Sequence, residues 1–149
     1  MAIEGIYTQL ITEHSRDKRN RRVVEGANHT HHGVNPSCGD ELTLELRVED
    51  GKIADAAFTG SGCAISQASA SMMSDILRGK TVEEADRLAD LFLGMIKGEV
   101  TDEEELEELD EAIALQGVSK MPARVKCAVL PWHTYQAAIT ENRKETAGD

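Results

Sequence analysis

Three cysteines stand in three different local settings along this chain of 149 residues. Cys38 follows a proline turn, Cys63 follows a Gly-Ser-Gly segment that leads into a helix, and Cys127 lies near the start of another helix. Three thiols and the nearby carboxylate of Asp40 form the ligand set of a tetrahedral zinc site. The residue types therefore favour a zinc site, and the glycines beside two of the cysteines leave the sulfurs approachable.

The spacing of the cysteines is weak evidence for a metal site by itself. They are 25 and 64 residues apart, so the chain lacks the close Cys-x2-Cys pair of many zinc sites. Their settings add support, because helix amino termini and backbone donors in turns favour a thiolate. A buried free cysteine that acts as a small hydrophobe is the alternative interpretation. Gly39 and Gly62 favour exposed, adaptable loops instead.

The apolar pattern predicts a small antiparallel sheet. Leucine and valine alternate with polar residues over 42–48, which is typical of a strand with one buried face. Asp50 and Gly51 predict a tight hairpin turn, and 53–59 predicts the return strand. A third strand is expected at about 28–34.

The remaining segments predict helices over one face of that sheet. Helical spacing, capping residues and glycine or proline breaks indicate helices at 3–16, from Cys63 to Gly79, at 82–97, at 102–115, and from Pro122 onward with a bend or restart at Pro131. No segment reads as a linker. We therefore expect a single domain over 1–149 with a two-layer α+β fold.

Composition narrows the classes of partner. The formal charge of −11 argues against a protein that follows nucleic-acid phosphates. The longest uncharged run, 56–74, contains too many serines and glycines for a membrane span. Because no amino-terminal signal is visible and the cysteines form no even-numbered framework, we expect the reducing cytoplasm.

Three motifs together resemble the SufU branch of the IscU-like iron–sulfur cluster assembly family, which includes the NifU amino-terminal domain. They are NPSCGD at 35–40, GCAIS at 62–66 with a serine-rich helix behind it, and RVKC at 124–127 with Trp132 downstream. The resemblance covers almost the whole chain. It implies that one zinc is bound at one end of the sheet by Cys38, Asp40, Cys63 and Cys127.

The resemblance also implies an activity. Proteins of this branch accept persulfide sulfur from a SufS-type cysteine desulfurase, which uses pyridoxal phosphate, and pass it to a SufBCD-type assembly complex. Cys38 is then the sulfur acceptor, because its loop is the freest and the family mechanism has a desulfurase histidine replace the equivalent ligand. Arg124 would stabilise the thiolate or persulfide charge, although a surface salt bridge is an equal alternative.

Two other functions stay open at this point. One is a true scaffold that assembles a nascent 2Fe-2S cluster, and the other is an adaptor in which zinc is only a structural staple. IscU scaffolds carry a histidine immediately before the last cysteine, where this chain has Lys126. They also carry a Pro-Val-Lys motif that a chaperone recognises. This motif aligns with Pro122, Ala123 and Arg124 here, so two of its three residues differ. Lys126 favours the sulfurtransferase.

Several charged segments have two interpretations each. The cluster of His29, His31 and His32 is predicted as a polar part of a strand or a partner contact, with metal binding as the alternative. The basic segment 16–22 is predicted as a solvated, mobile connector rather than a contact for an acidic partner. Nine of the 27 acids lie in 99–111, and they predict a solvated helix face.

Overall fold

The computed structural model describes the backbone of residues 2–36 and 39–148 and the side chains of residues 9–36 and 39–140. Its helices and strands follow one another as α1 (Ala2–Arg16), β1 (His29–Asn35), β2 (Asp40–Glu49), β3 (Lys52–Ser61), α2 (Ala64–Leu77), α3 (Val82–Ile96), α4 (Glu103–Leu106), a 3-10 segment (Glu107–Lys120) and α5 (Pro122–Gly148).

The three strands form one antiparallel sheet in the order β1-β2-β3, which confirms the predicted sheet. Leu44 in the central strand pairs with His31 on one side and Phe58 on the other. The hairpin between β2 and β3 turns through Asp50 and Gly51, whose φ angles are 53° and 76°. Positive φ at both positions is the two-residue turn that an Asp-Gly pair adopts most readily.

The core lies between one face of the sheet and the helices, so the predicted α+β fold is confirmed. Helices α2 and α5 pack against the sheet and against each other. A Cβ atom on Gly33 of β1 would collide with Thr134 of α5, so a glycine is needed for this close approach. Trp132 packs inside, stacked on Phe92 with ring centroids 4.3 Å apart.

The basic segment 16–22 differs from its prediction, because ion pairs hold it against the protein. Arg22 contacts Asp55 of β3 with two hydrogen bonds of 2.8 and 2.9 Å, and Arg19 contacts Asp75 of α2 at 2.8 Å. Asn20 between them is fully buried. Arg19 and Arg22 are exposed, as predicted for a solvated segment, whereas the ion pairs do not fit a mobile connector. A charge run in sequence does not show whether acids elsewhere in the chain neutralise it.

We expect Asp55→Asn to lower the unfolding free energy by about 2 kcal/mol at neutral pH, because Arg22 and Arg78 lose a charged acceptor. The hydrogen bond from Arg22 is the largest cause that lowers the pKa of Asp55 far below its ordinary value. Its contribution is therefore complete above about pH 4 and declines as pH falls toward the folded-state pKa. Urea unfolding of both proteins at pH 7 and pH 3 measures the difference, which should shrink at pH 3.

The control for this prediction is Asp50→Asn. Asp50 lies in the exposed hairpin turn, and asparagine tolerates the same positive φ. A loss in Asp55→Asn that is equal at both pH values would contradict the ion-pair account.

The acidic segment forms a less regular structure than the predicted helix over 102–115. A single turn, α4, is capped by Asp102 and is followed by the 3-10 segment, with a break at Asp110, whose φ is 52°. Like charges one turn apart destabilise an α-helix. Five buried residues instead recur every three positions, which is the period of a 3-10 helix; they are Leu106, Leu109, Ala112, Leu115 and Val118. Ala114 is also buried, outside this series.

The long helix α5 begins at Pro122 and continues through Pro131 without the predicted restart. The acids of 99–111 are exposed, as predicted for a solvated face. None of the described helices combines the length and the apolar composition that a membrane span requires.

Candidate metal centre

Three elements each bring one potential ligand to the same end of the sheet. Asp40 is the first residue of β2, and Cys63 is the N-cap of α2 just after β3 ends. Cys127 lies in the second turn of α5. The backbone of Cys63 is extended, with φ −71° and ψ 169°, and its sulfur accepts from the amide N–H of Ser66 at 3.5 Å. The helix start therefore fixes where this sulfur lies.

The donor atoms of Asp40, Cys63 and Cys127 all lie within 4.8 Å of one another. The Cys63 Sγ atom is 4.0 Å from Asp40 Oδ2, and the Cys63 amide N–H donates to Asp40 Oδ1 at 2.8 Å. Zinc bonds of 2.0 to 2.3 Å in a tetrahedron imply donor separations of roughly 3.5 to 3.8 Å. Small side-chain adjustments would therefore bring these three donors to zinc-binding distances.

Burial supports a cation at this place. Asp40 is 1% exposed and Cys127 is 0% exposed, whereas Cys63 is half-buried. A buried carboxylate is costly unless a cation or several hydrogen bonds compensate its charge. Among the described residues, only the amide and sulfur of Cys63 give Asp40 a hydrogen bond. Two sulfurs and one carboxylate are the donor types that zinc accepts, so the residues present fit this metal.

Arg124 interacts with the sulfurs of this group. It is exposed on the first turn of α5. The electrostatic interaction with Cys63 is the largest cause that raises the pKa of Arg124, followed by a hydrogen bond with Cys127. No carboxylate of the described side chains forms an ion pair with Arg124 within 4.0 Å.

Cys38 lies outside the described residues, so its place in the ligand set stays a prediction. The residues that flank it are described. Gly39 has a φ of +72°, and its amide N–H donates to the Asn35 carbonyl at 3.0 Å. The loop that carries Cys38 thus begins and ends beside Asp40.

The histidine cluster lies on the edge strand β1. His29 and His31 are half-buried and His32 is exposed, in the alternation that the sequence predicts. His32 contacts Thr43 at 2.9 Å, and burial lowers the pKa of His29. The candidate metal group found among the described residues contains no histidine. A polar strand or partner contact remains the interpretation.

Sequence reasoning missed the residues that shape the site without binding metal. The hydroxyl of Ser66 donates to the Cys63 carbonyl at 3.0 Å. The side-chain nitrogen of Asn35 is buried and has no hydrogen-bond partner among residues 9–36 and 39–140, whose side chains the structure describes. The only signal for Ser66 is its place in the first turn after an N-cap, and Asn35 has only the turn signal of an Asn-Pro pair.

Gly62→Ala is expected to weaken zinc binding by about tenfold, because a Cβ atom there would lie 2.7 Å from Asp40 Oδ1 and 2.5 Å from Ser66 Oγ. Asp40 would have to move away from the sulfurs. Competition with a chromogenic zinc chelator measures the change. Gly117→Ala is the control, since a Cβ atom on Gly117 meets nothing within 4 Å. Equal zinc affinities in the two variants would show that Gly62 does not position Asp40.

The fold and the donor group define a class: a small α+β protein whose sheet end gathers cysteine and aspartate ligands. Within that class the chain belongs to the family described as NifU-like N terminal domain, whose pattern matches residues 6–148. This confirms the family that the sequence motifs indicate.

Individual relatives agree with the family. The chain is 37% identical to the zinc-dependent sulfurtransferase SufU of Bacillus subtilis, over 99% of this chain and 96% of that protein. It is 40% identical to the iron–sulfur cluster assembly scaffold protein IscU of Streptococcus pyogenes, over 92% of this chain and 84% of that protein. Among solved structures, the chain is similar to FiSufU of Fervidobacterium islandicum, which is described as an iron–sulfur cluster assembly scaffold protein for the SUF system. The match covers 91% of this chain and 97% of that chain, with a TM-score of 0.82 and 38% identity.

Proposed function

We propose that the chain is a zinc-dependent sulfurtransferase of iron–sulfur cluster assembly. Family membership and the names of its relatives support a role in cluster assembly. More specifically, the proposal is that a SufS-type cysteine desulfurase donates persulfide sulfur to this protein and that a SufBCD-type complex receives the sulfur from it. The observation that carries it is the group of Asp40, Cys63 and Cys127, with Lys126 exposed in the place where scaffolds have histidine.

The proposed reaction is a thiol exchange. Zinc, when bound, would keep its cysteine ligands deprotonated at neutral pH. The Cys38 thiolate attacks the terminal sulfur of the donor's persulfide, so a new sulfur–sulfur bond forms on Cys38 and the donor's own bond breaks. The donor cysteine leaves as a thiolate, and no outside oxidant or reductant is needed. Asp40, Cys63 and Cys127 stay in place as the buried base of the site.

Arg124→Ala is expected to reduce desulfurase stimulation by about tenfold, because the guanidinium interacts electrostatically with Cys63 and Cys127 and would stabilise an added persulfide charge. Arg124→Lys should recover part of this loss, since the lysine ammonium keeps the positive charge but lacks the planar geometry of the guanidinium. The assay is sulfide release by the desulfurase at rising concentrations of each variant. Lys120→Ala, which removes an exposed cation just before α5, is the control. A loss of the same size in that control would assign the effect to general surface charge.

A scaffold that assembles a 2Fe-2S cluster is the second candidate. The 40% identity to a protein named as an IscU scaffold favours it. It would require iron and acid-labile sulfide at the Asp40 group.

One experiment distinguishes the two candidates. Desulfurase turnover is measured with and without the purified protein, and zinc, iron and acid-labile sulfide are measured on the same sample after anaerobic reconstitution. The sulfurtransferase predicts one zinc per chain, no colour and a faster desulfurase. A brown protein with iron and sulfide and no effect on turnover supports the scaffold, and zinc-dependent folding with neither activity supports the adaptor.

A further inference from the structure

A cleft of about 380 Å³ borders the segment that carries Cys63. Its walls come from Gly60–Gly62 at the end of β3, the first turn of α2, the last turn of α1 and the connector that follows α1. The cleft therefore lies next to the metal group. The three candidate ligands Asp40, Cys63 and Cys127 do not line it.

The side chain of Gln67 is the first feature that points to a ligand in this cleft. It is 7% exposed and lines the cleft from the first turn of α2. Its backbone N–H donates to the Cys63 carbonyl, but within the described part of the chain its side-chain amide makes no hydrogen bond. The amide is not among the buried polar atoms that lack a partner, so it reaches solvent through the cleft while the rest of the residue is buried. A ligand in the cleft would replace water as the partner of this amide.

The charge of the cleft is positive. Arg21 is the only ionisable side chain in its lining. One of its nitrogens, Nη2, donates to the Ser15 carbonyl, while the buried Nε has no hydrogen-bond partner among the described residues. Ser61 also lines the cleft, and its hydroxyl makes no hydrogen bond within the described part of the chain. Arg21, Gln67 and Ser61 thus line the same space, and each has a hydrogen-bond donor without a partner among the described residues.

The amino terminus of α2 adds positive electrostatic potential to the cleft. The helix has 14 residues, and no acidic residue stands in its first turn to offset the positive end of its dipole. Its residue Ala64 lines the cleft beside Gln67. Helix amino termini of this kind bind anions when side-chain donors assist them.

We propose that this cleft binds a carboxylate group. The ligand is an anion because the lining has one cation and no acid, and it is singly charged because Arg21 alone neutralises one charge. A guanidinium, an amide N–H and a hydroxyl together satisfy the oxygens of a carboxylate. The group belongs either to a small-molecule carboxylate or to an aspartate or glutamate of the sulfur-donating enzyme, and only the second source rests on the proposed function.

The binding test uses acetate as its probe, with the zinc-loaded protein. Acetate should shift the backbone amide resonance of Ala64 to a saturable limit, and chloride at equal ionic strength should not. Gln67→Leu should weaken acetate binding by about tenfold, and Arg21→Lys by a similar factor, because each removes hydrogen bonds to a charged acceptor. A shift that rises linearly with acetate, or the same dissociation constant in both variants and the unaltered protein, overturns the proposal.

A second arm identifies the source of the carboxylate. Gln67→Glu places a carboxylate in the cleft, and Gln9→Glu adds the same charge on an exposed helix position as the control. If the enzyme supplies the group, Gln67→Glu alone raises the half-saturating concentration in the desulfurase assay by about tenfold. An unchanged value together with lost acetate binding assigns the cleft to a small molecule. Should the unaltered protein not stimulate the desulfurase, the proposed function fails while the acetate result stands.

Discussion

Replacing Cys38 with serine is expected to lower desulfurase stimulation by at least about 100-fold, because a hydroxyl is not ionised at neutral pH and does not exchange with a persulfide. The fold should survive, because serine differs from cysteine only in having an oxygen in place of the sulfur. Stimulation is measured as sulfide released by the desulfurase at saturating Cys38→Ser protein, and zinc is measured on the same sample.

Ser37→Ala is the matched control, because it changes the same loop and leaves the thiol. It should stimulate normally. Full stimulation by Cys38→Ser would eliminate Cys38 as the acceptor and leave the half-buried Cys63 as the next candidate. A loss of zinc in Cys38→Ser, with stimulation restored at high zinc concentration, would make Cys38 a ligand only.

Asp40→Asn is expected to change stability in opposite directions with and without zinc. The amide oxygen still accepts from the Cys63 N–H, so the replacement removes the charge and keeps the shape. In zinc-free protein it removes an uncompensated buried carboxylate and should raise the unfolding free energy by about 1 to 2 kcal/mol. In zinc-saturated protein it removes a ligand, so the stabilisation by zinc should be smaller.

Thermal unfolding in zinc and in chelator measures both effects. Zinc at 100 times its dissociation constant stabilises the unaltered protein by about 2.7 kcal/mol, which is roughly 5 to 11 °C for a chain of this size. In Asp40→Asn, zinc should raise the melting temperature by only a small part of that amount. Asp50→Asn, in the exposed turn, should keep it. If Asp40→Asn lowers stability in chelator as well, the carboxylate is held by protein contacts and the metal account of Asp40 is wrong.

The sheet and the proximity of Asp40 to Cys63 could be predicted from sequence because their signals are local. Leucines at alternate positions in β2 require one buried face, and an Asp-Gly pair fits a two-residue hairpin. Once the sheet exists, the start of β2 and the N-cap of α2 must lie at the same end, which brings Asp40 beside Cys63. The place of Cys127 followed from the resemblance, because helix periodicity does not say where the end of a distant helix packs.

Other features depend on contacts that no local pattern reports. The connector is held by Asp55 and Asp75, which lie 33 and 56 residues away in sequence from the arginines that they bind. The capping residues near 101–104 predict an α-helix over 102–115, whereas the chain forms one α-helical turn and a 3-10 segment with a break at Asp110. The cleft at Gln67 exists only where four separate segments meet, so an unpartnered amide there is visible only in the structure.

The most direct test of the sulfurtransferase is to locate the transferred sulfur. The zinc-loaded protein is incubated with a SufS-type desulfurase and cysteine, alkylated without reductant, digested and analysed by mass spectrometry. The account predicts one additional sulfur atom on the peptide that contains Cys38 and none on the peptides of Cys63 and Cys127. Sulfur on either of those two cysteines, or unmodified peptides together with iron and sulfide in the protein, would contradict it.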